Sequence, residues 1–178
     1  MKTAVSREVI QKAVKDLAAQ INHDYKGQSV VFVCLLKGAF MFFSDLMKHI
    51  TLDCEVEFIQ ISTYVNNQLK DAQLKSALNI NFKDKIVICV DEILESGKTF
   101  ELIEQLLDFQ KPEHIRWCWL IHKGTLEYTD ILIEKGHYIG VILNKKSWIF
   151  GYGSDNNQKQ RNLDQFYVLE KSVIEKIV

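Results

Sequence analysis

Two short runs constrain this chain more than any other feature: Val30 to Leu36, reading VVFVCLL, and Ile86 to Val90, reading IVICV. Neither alternates apolar with polar residues, so each must be buried on both faces, as strands of a parallel sheet are. Segments with helical spacing surround them. Val5, Val9, Ala13, Leu17 and Ile21 recur every four residues behind Ser6, which predicts an N-capped amphipathic helix ending by Gly27 to Ser29. Lys37-Gly38 breaks the first strand, and Ala39 to Ile50 is the next predicted helix. Val56 and Phe58 alternate with Glu55 and Glu57 ahead of Ile59 and Ile61, predicting a strand that ends near Ser62.

A linker, Asp91 to Gly97, follows the second apolar run and leads into a helix from about Lys98 to Gln110, closed by Pro112. Ile115 to Ile121 and Tyr138 to Leu143 are further strands. The alternation argues for an α/β fold with a mostly parallel sheet. No repeat or linker divides the chain, so residues 1–178 are expected to form a single domain. From Tyr64 to Lys85 the pattern fails: Asn66, Asn67, Gln68, Lys70, Asp71, Gln73 and Lys75 predict a mobile polar loop, with a short strand near Leu78. A loop of that length inside a compact domain points to a lid.

Charge narrows the function classes. Lys and Arg total 22 against 23 Asp and Glu, a formal net charge of -1, so the basic footprint of a general nucleic-acid binder is missing. The longest apolar stretch, Val30 to Leu36, is far too short to span a bilayer. Lys2, Arg7, Glu8 and Lys12 occupy the place of a signal peptide's apolar core, which predicts a soluble cytoplasmic protein. Cys34, Cys54, Cys89 and Cys118 show no paired short spacing and read as reduced packing residues. The five histidines make no i, i+4 metal pair.

In an open parallel sheet, ligands bind beyond the carboxyl ends of the strands. Four places qualify: Lys37-Gly38, Asp91-Glu92 with its turn, His122-Lys123, and Trp148 to Asp155. The segment Val87 to Phe100, VICVDEILESGKTF, carries the most information. Its strand runs into two adjacent carboxylates and then a small-residue turn that opens a helix. Backbone N–H groups at that helix start, with the hydroxyls of Ser96 and Thr99, form a phosphate cradle. Paired acids beside a phosphate cradle suit sugar hydroxyls or a metal, and the combination describes a sugar phosphate. Gly97-Lys98-Thr99 is not the end of a nucleotide-triphosphate loop, because Glu92 stands where that motif needs glycine.

Val87 to Phe100 closely resembles the phosphoribosyl-pyrophosphate signature of the type I phosphoribosyltransferases, and the chain from about Val30 to Leu163 resembles the hypoxanthine-guanine branch of that family. Leu35-Leu36-Lys37-Gly38 resembles its pyrophosphate loop and Ser62-Thr63-Tyr64 the start of its lid. Lys123 follows a strand as the family's purine-reading lysine does. Trp148-Ile149-Phe150-Gly151-Tyr152, with Asp155 and Arg161, resembles its purine-stacking and metal segment. The resemblance implies a type I phosphoribosyltransferase fold: a mostly parallel twisted sheet flanked by helices, a lid over about 63–84, and a small hood from the two terminal segments.

It also implies an activity, transfer of a 5-phosphoribosyl group from phosphoribosyl pyrophosphate to a 6-oxopurine in purine salvage, with magnesium as cofactor. In that reading Asp91 and Glu92 accept from the ribose 2′- and 3′-hydroxyls and help hold the metal, and Leu94, Glu95, Ser96, Gly97, Lys98 and Thr99 hold the 5′-phosphate. Lys37 and Gly38 meet pyrophosphate through backbone amides, in this family beside a strained peptide bond, and Arg161 adds a planar fork of donors. Asp155 completes the purine site and ligates magnesium. Lys123 donates to the purine 6-oxygen, Trp148 stacks on the ring, and the Ile149 backbone reads its edge. Thr63 and Tyr64 belong to the lid, and Glu95 is the catalytic acid–base group beside the purine. A homodimer or homotetramer is implied, with no membrane or nucleic-acid partner.

The sequence departs from the family pattern at several points. Asp91 precedes Glu92 where the usual order is Glu then Asp, and Glu95 replaces an aspartate. Lys145-Lys146 stands in place of proline and an acid, and Asn156 to Gln160 lacks the usual aromatic residues. These departures keep two other readings open: a weakly catalytic or non-catalytic relative that senses nucleotides or binds RNA, and a transferase for another base such as xanthine.

Overall fold

The computed structural model describes residues 1–65, 68–74, 80–143, 148–168 and 174–177. In chain order they form β1 (Lys2–Val5), α1 (Arg7–Asp24), β2 (Ser29–Leu36), α2 (Phe40–Met47), β3 (Asp53–Val65), β4 (Gln68–Leu74), β5 (Ile86–Leu94), α3 (Lys98–Asp108), β6 (His114–His122), α4 (Leu126–Glu134), β7 (Tyr138–Leu143), β8 (Ile149–Phe150), β9 (Phe166–Val168) and β10 (Ile174–Ile177). The two apolar runs lie side by side: Val30 to Cys34 of β2 pair in parallel with Ile86 to Val90 of β5. They sit inside a sheet ordered β10-β7-β6-β5-β2-β3-β4, whose five inner strands are parallel and whose two edge strands are antiparallel to their neighbours.

The uniform apolar character of β2 and β5 follows from cores on both faces. Val30, Phe32, Cys34, Ile86, Ile88 and Val90 point to the side covered by α1 and α2, with Ala13, Leu17, Ile21, Phe42 and Leu46. Val31, Val33, Leu35, Val87 and Cys89 point to the side covered by α3 and α4, with Ile103, Leu107 and Leu132. Period-2 side-chain direction makes every position of such a strand a core position. Ser6 caps α1 as expected, its Oγ accepting from Val9 N at 3.4 Å. All four cysteines are free, and burial pushes the Cys34, Cys89 and Cys118 thiols up, so these are inert packing groups.

Three expectations need correction. Asp91 to Gly97 is not all linker: β5 continues to Leu94, because Asp91, Ile93 and Leu94 pair with Trp119, Ile121 and His122 of β6. The polar stretch from Tyr64 is not simply a loop: β3 runs to Val65 and pairs antiparallel with β4. Backbone hydrogen bonds to β3 make β4 a strand despite its polar residues, which suits the edge of a sheet. The expected strand near Leu78 lies outside the described residues, as do Lys145 and Lys146. Val5 belongs to β1 rather than to the first helix, and β1 pairs with β9, which pairs with β8, in a separate small sheet. These strands of two to four residues are too short to show a period.

Candidate active site

The carboxyl ends of β2, β5 and β6, with Gln60 and Ile61 of β3, line one cleft of about 650 Å³. Lys37, Gly38, Asp91, Glu92, Leu94, Glu95, Ser96, Gly97, Thr99, Lys123, Trp148, Ile149, Asp155 and Arg161, all singled out above, line it together. Lys98, the first residue of α3, is outside that lining, and Thr63 and Tyr64 fall within β3.

The floor is acidic. Asp91 and Glu92 are consecutive residues of β5, and the Glu92 N–H donates to Asp91 Oδ1 at 3.0 Å. Burial, reinforced by the neighbouring Glu92 charge, pushes the Asp91 carboxyl well above the usual carboxylate range. Two crowded carboxylates with one disfavoured in its ionised form are relieved by a divalent cation or by donating hydroxyls. The same arrangement supplies the hard oxygen donors that magnesium takes, and magnesium is typically held by one or two carboxylates plus substrate phosphates. Among the described residues, no three His, Cys, Asp or Glu side chains converge on one point, so any such ion would rely on the substrate for further ligands.

Beyond Leu94 the turn Glu95-Ser96-Gly97 leads into α3. Gly97 takes φ +75°, a left-handed conformation natural to glycine, and starts the helix with its carbonyl accepting from Glu101 N at 2.9 Å. Ser96, Gly97, Thr99 and Phe100 line the cleft at the start of α3, where a helix leaves its first-turn N–H groups without intrahelical partners, the feature a phosphate cradle draws on. Opposite, the Leu36–Lys37 peptide is cis, and Lys37 is exposed at the cleft edge.

The base end is set by β6 and β8. Lys123 follows β6, its N–H donating to Leu94 O at 2.8 Å. Its side chain is 3% exposed, and Nζ donates to Glu95 Oε1 at 2.6 Å. Trp148 stands half-exposed at the rim, next to buried Ile149. On the third wall Arg161 donates from Nη2 to Asp155 Oδ1 at 2.6 Å and from Nη1 to Gly153 O at 2.8 Å. Asp155 Oδ2 accepts from Gln158 N at 2.8 Å, so acid and guanidinium are pinned within one turn.

Gln60, Ile61, Trp119, Asn157 and Gln158 also line the cleft and were assigned no role from the sequence, and Ser154 lines it from within the Trp148 to Asp155 segment without a role of its own. Gln60 pairs with Leu36, the last residue of β2, but lies inside β3, which runs on to Val65, so a strand-end rule applied to β3 passes over it. The alternating glycines 151 and 153 signal a tight turn but do not say what it approaches.

The family model described as phosphoribosyl transferase domain matches residues 6–155. The hypoxanthine-guanine phosphoribosyltransferase of Bacillus subtilis (strain 168) is 30% identical over 176 residues, 98% of this chain and 96% of that protein. The hypoxanthine-guanine-xanthine phosphoribosyltransferase of Tritrichomonas foetus is 30% identical over 171 residues, 94% of this chain and 91% of that protein. Among solved structures, a hypoxanthine phosphoribosyltransferase from Staphylococcus aureus superposes with a TM-score of 0.81 at 29% identity, covering 95% of this chain and 91% of that one.

Proposed function

The chain belongs to the phosphoribosyl transferase domain family, and we propose on that premise that it transfers the 5-phosphoribosyl group of phosphoribosyl pyrophosphate to a 6-oxopurine, hypoxanthine or guanine. The observation that carries this reading is the meeting, in one cleft, of the Asp91-Glu92 pair, the start of α3 and the buried ammonium of Lys123. The acids accept from the ribose diol, the α3 amides with Ser96 and Thr99 hold the 5′-phosphate, and Lys37, Gly38 and Arg161 meet pyrophosphate. Lys123 donates to the 6-oxygen; adenine presents an amino group there and is disfavoured. Trp148 covers the purine face, and Ile149 offers its backbone to the purine edge.

In the reaction, the bond from the anomeric carbon to pyrophosphate breaks and its electron pair leaves with pyrophosphate. A ring nitrogen of the purine forms the new bond, and its proton passes to Glu95. Catalysis comes from positioning and from charge stabilisation at the leaving group. Asp91 and Glu92 on the cleft floor, and Asp155 on the third wall, are the residues that would hold magnesium, each side completed by substrate oxygens, and the ion would supply positive charge for the departing pyrophosphate. The lid around Thr63 and Tyr64 excludes competing water. Residues 1–178 act as one domain, with β1, β8 and β9 in its hood.

Exposed Phe40, Val56 and Phe58, with Phe58 in edge contact with Phe43 at 5.7 Å, support self-association as a homodimer or homotetramer. Among the described residues, no helix is long and apolar enough to cross a membrane; cytoplasmic placement belongs to the same proposal. The name of the Tritrichomonas foetus relative makes xanthine a third base to test. The test is nucleotide formation by purified protein given phosphoribosyl pyrophosphate, magnesium and each base in turn.

A further inference from the structure

We propose that Ser154 is the positioning residue for the Glu92 carboxylate, fixing it where the ribose hydroxyls of the substrate arrive; this rests on the phosphoribosyl transfer proposed above. Segments far apart in sequence meet at Glu92. Ser154 Oγ donates to Glu92 Oε1 at 3.0 Å. Gly38 lies so close to the same carboxylate that a Cβ there would overlap it. The Gly38 carbonyl in turn occupies the space that a Cβ on Gly153 would need. Gly38 is thus packed between the acid it faces and the residue before Ser154.

Ser154 is itself well fixed. It is buried, and it exchanges both backbone hydrogen bonds with Gly151, at 2.9 and 3.1 Å. Arg161 holds the same turn through the Gly153 carbonyl. A glutamate has three rotatable bonds and many rotamers, whereas a hydroxyl with one hydrogen, presented from a rigid turn, selects one of them. An aspartate at position 92 would fall short by one methylene, about 1.5 Å of reach, and would leave the Ser154 hydroxyl without this acceptor. The longer acid and the serine therefore work as a pair.

The test uses the full chain. Ser154→Ala should raise KM for phosphoribosyl pyrophosphate about tenfold, the size expected for a lost hydrogen bond to a charged group, while KM for the base stays unchanged. Ser154→Thr, which keeps the hydroxyl, should restore most of the loss. Glu92→Asp should show a similar loss, and adding Ser154→Ala to it should cost nothing further. Calorimetry supplies a readout free of turnover: the parent should bind guanosine monophosphate more tightly than its 2′,3′-dideoxy analogue, and Ser154→Ala should lose that preference. If the parent binds neither nucleotide, the phosphoribosyl-transfer reading falls and this inference with it. If the parent discriminates and Ser154→Ala discriminates equally well, or the two substitutions act independently, the positioning role is wrong while the transfer reading stands.

Discussion

The ammonium of Lys123 is bound to Glu95 Oε1 at 2.6 Å across the gap between the end of β6 and the turn that opens α3. One partner is almost wholly buried and the other is 41% exposed. A buried ammonium is costly unless it is paired, and Glu95 provides the pairing while its open side faces the cleft. The residue proposed to read the purine and the residue proposed to take its proton are therefore joined before any base arrives. In the proposed reaction a 6-oxopurine would insert its oxygen beside this pair, taking a Lys123 hydrogen while its ring nitrogen approaches Glu95.

Lys123→Ala should act on purine recognition, with a loss of about 1–3 kcal/mol in kcat/KM for the base. Binding of phosphoribosyl pyrophosphate should hardly change, since Lys123 is assigned no contact with it. Kinetics with each substrate varied separately measure both effects. Equal weakening of the two substrates would make Lys123 a structural residue.

Glu95→Gln should lower turnover strongly while phosphoribosyl pyrophosphate still binds, because the amide cannot take up a proton and leaves Lys123 without its counter-charge. Glu95→Asp keeps the acid and should retain substantial activity, with its carboxylate set back by one methylene. Turnover and calorimetric affinity for both variants check this. Parent-like turnover in Glu95→Gln would remove Glu95 from the chemistry.

Asp155→Asn should raise the magnesium concentration needed for half-maximal rate, since a neutral amide is a poorer ligand for a hard cation. It also weakens the hold on Arg161, which is bound to Asp155 Oδ1, so affinity for pyrophosphate should fall too. A magnesium titration of initial rate is the measurement. An unchanged midpoint would show that Asp155 serves only to orient Arg161.

His137 predicts a pH dependence of stability away from the cleft. Burial, with Arg116 and Lys135 nearby, lowers its pKa from 6.5 to about 4, and its Nδ1 accepts from the Trp117 backbone N–H at 3.3 Å. Between those two values the unfolded chain binds a proton that the folded chain refuses, so stability falls as pH drops through that window. His137→Gln should flatten the slope of unfolding free energy between about pH 5 and 6.5, above the range where ordinary carboxylates titrate. Urea unfolding at several pH values reads that slope, and an unaltered slope would assign the dependence to other groups.

The central sheet was legible because a strand covered on both faces needs an unbroken apolar run, as in Val30 to Leu36 and Ile86 to Val90. The cleft was legible because parallel strands direct their ends to one side, so Lys37-Gly38, Asp91-Glu92 and Lys123 had to converge. What escaped depends on partners distant in sequence. Asp91 to Leu94 is strand because β6 continues beside it, and β4 is strand because β3 supplies its hydrogen bonds. Ser154 lies in the Trp148 to Asp155 segment but gave no signal of its own: a serine after a glycine turn reads as surface until the fold brings Glu92 to it. Lys123 showed the same limit, since nothing local marks a lysine whose side chain is buried against Glu95.

The most direct test of the account is pyrophosphate release by the purified chain, with phosphoribosyl pyrophosphate and magnesium, across hypoxanthine, guanine, xanthine, adenine and orotate. The account predicts rapid release with hypoxanthine or guanine and little with adenine, because Lys123 presents a donor that a 6-oxygen accepts and a 6-amino group in the same place does not. Adenine or orotate as the best substrate, or no release with any base, would contradict it.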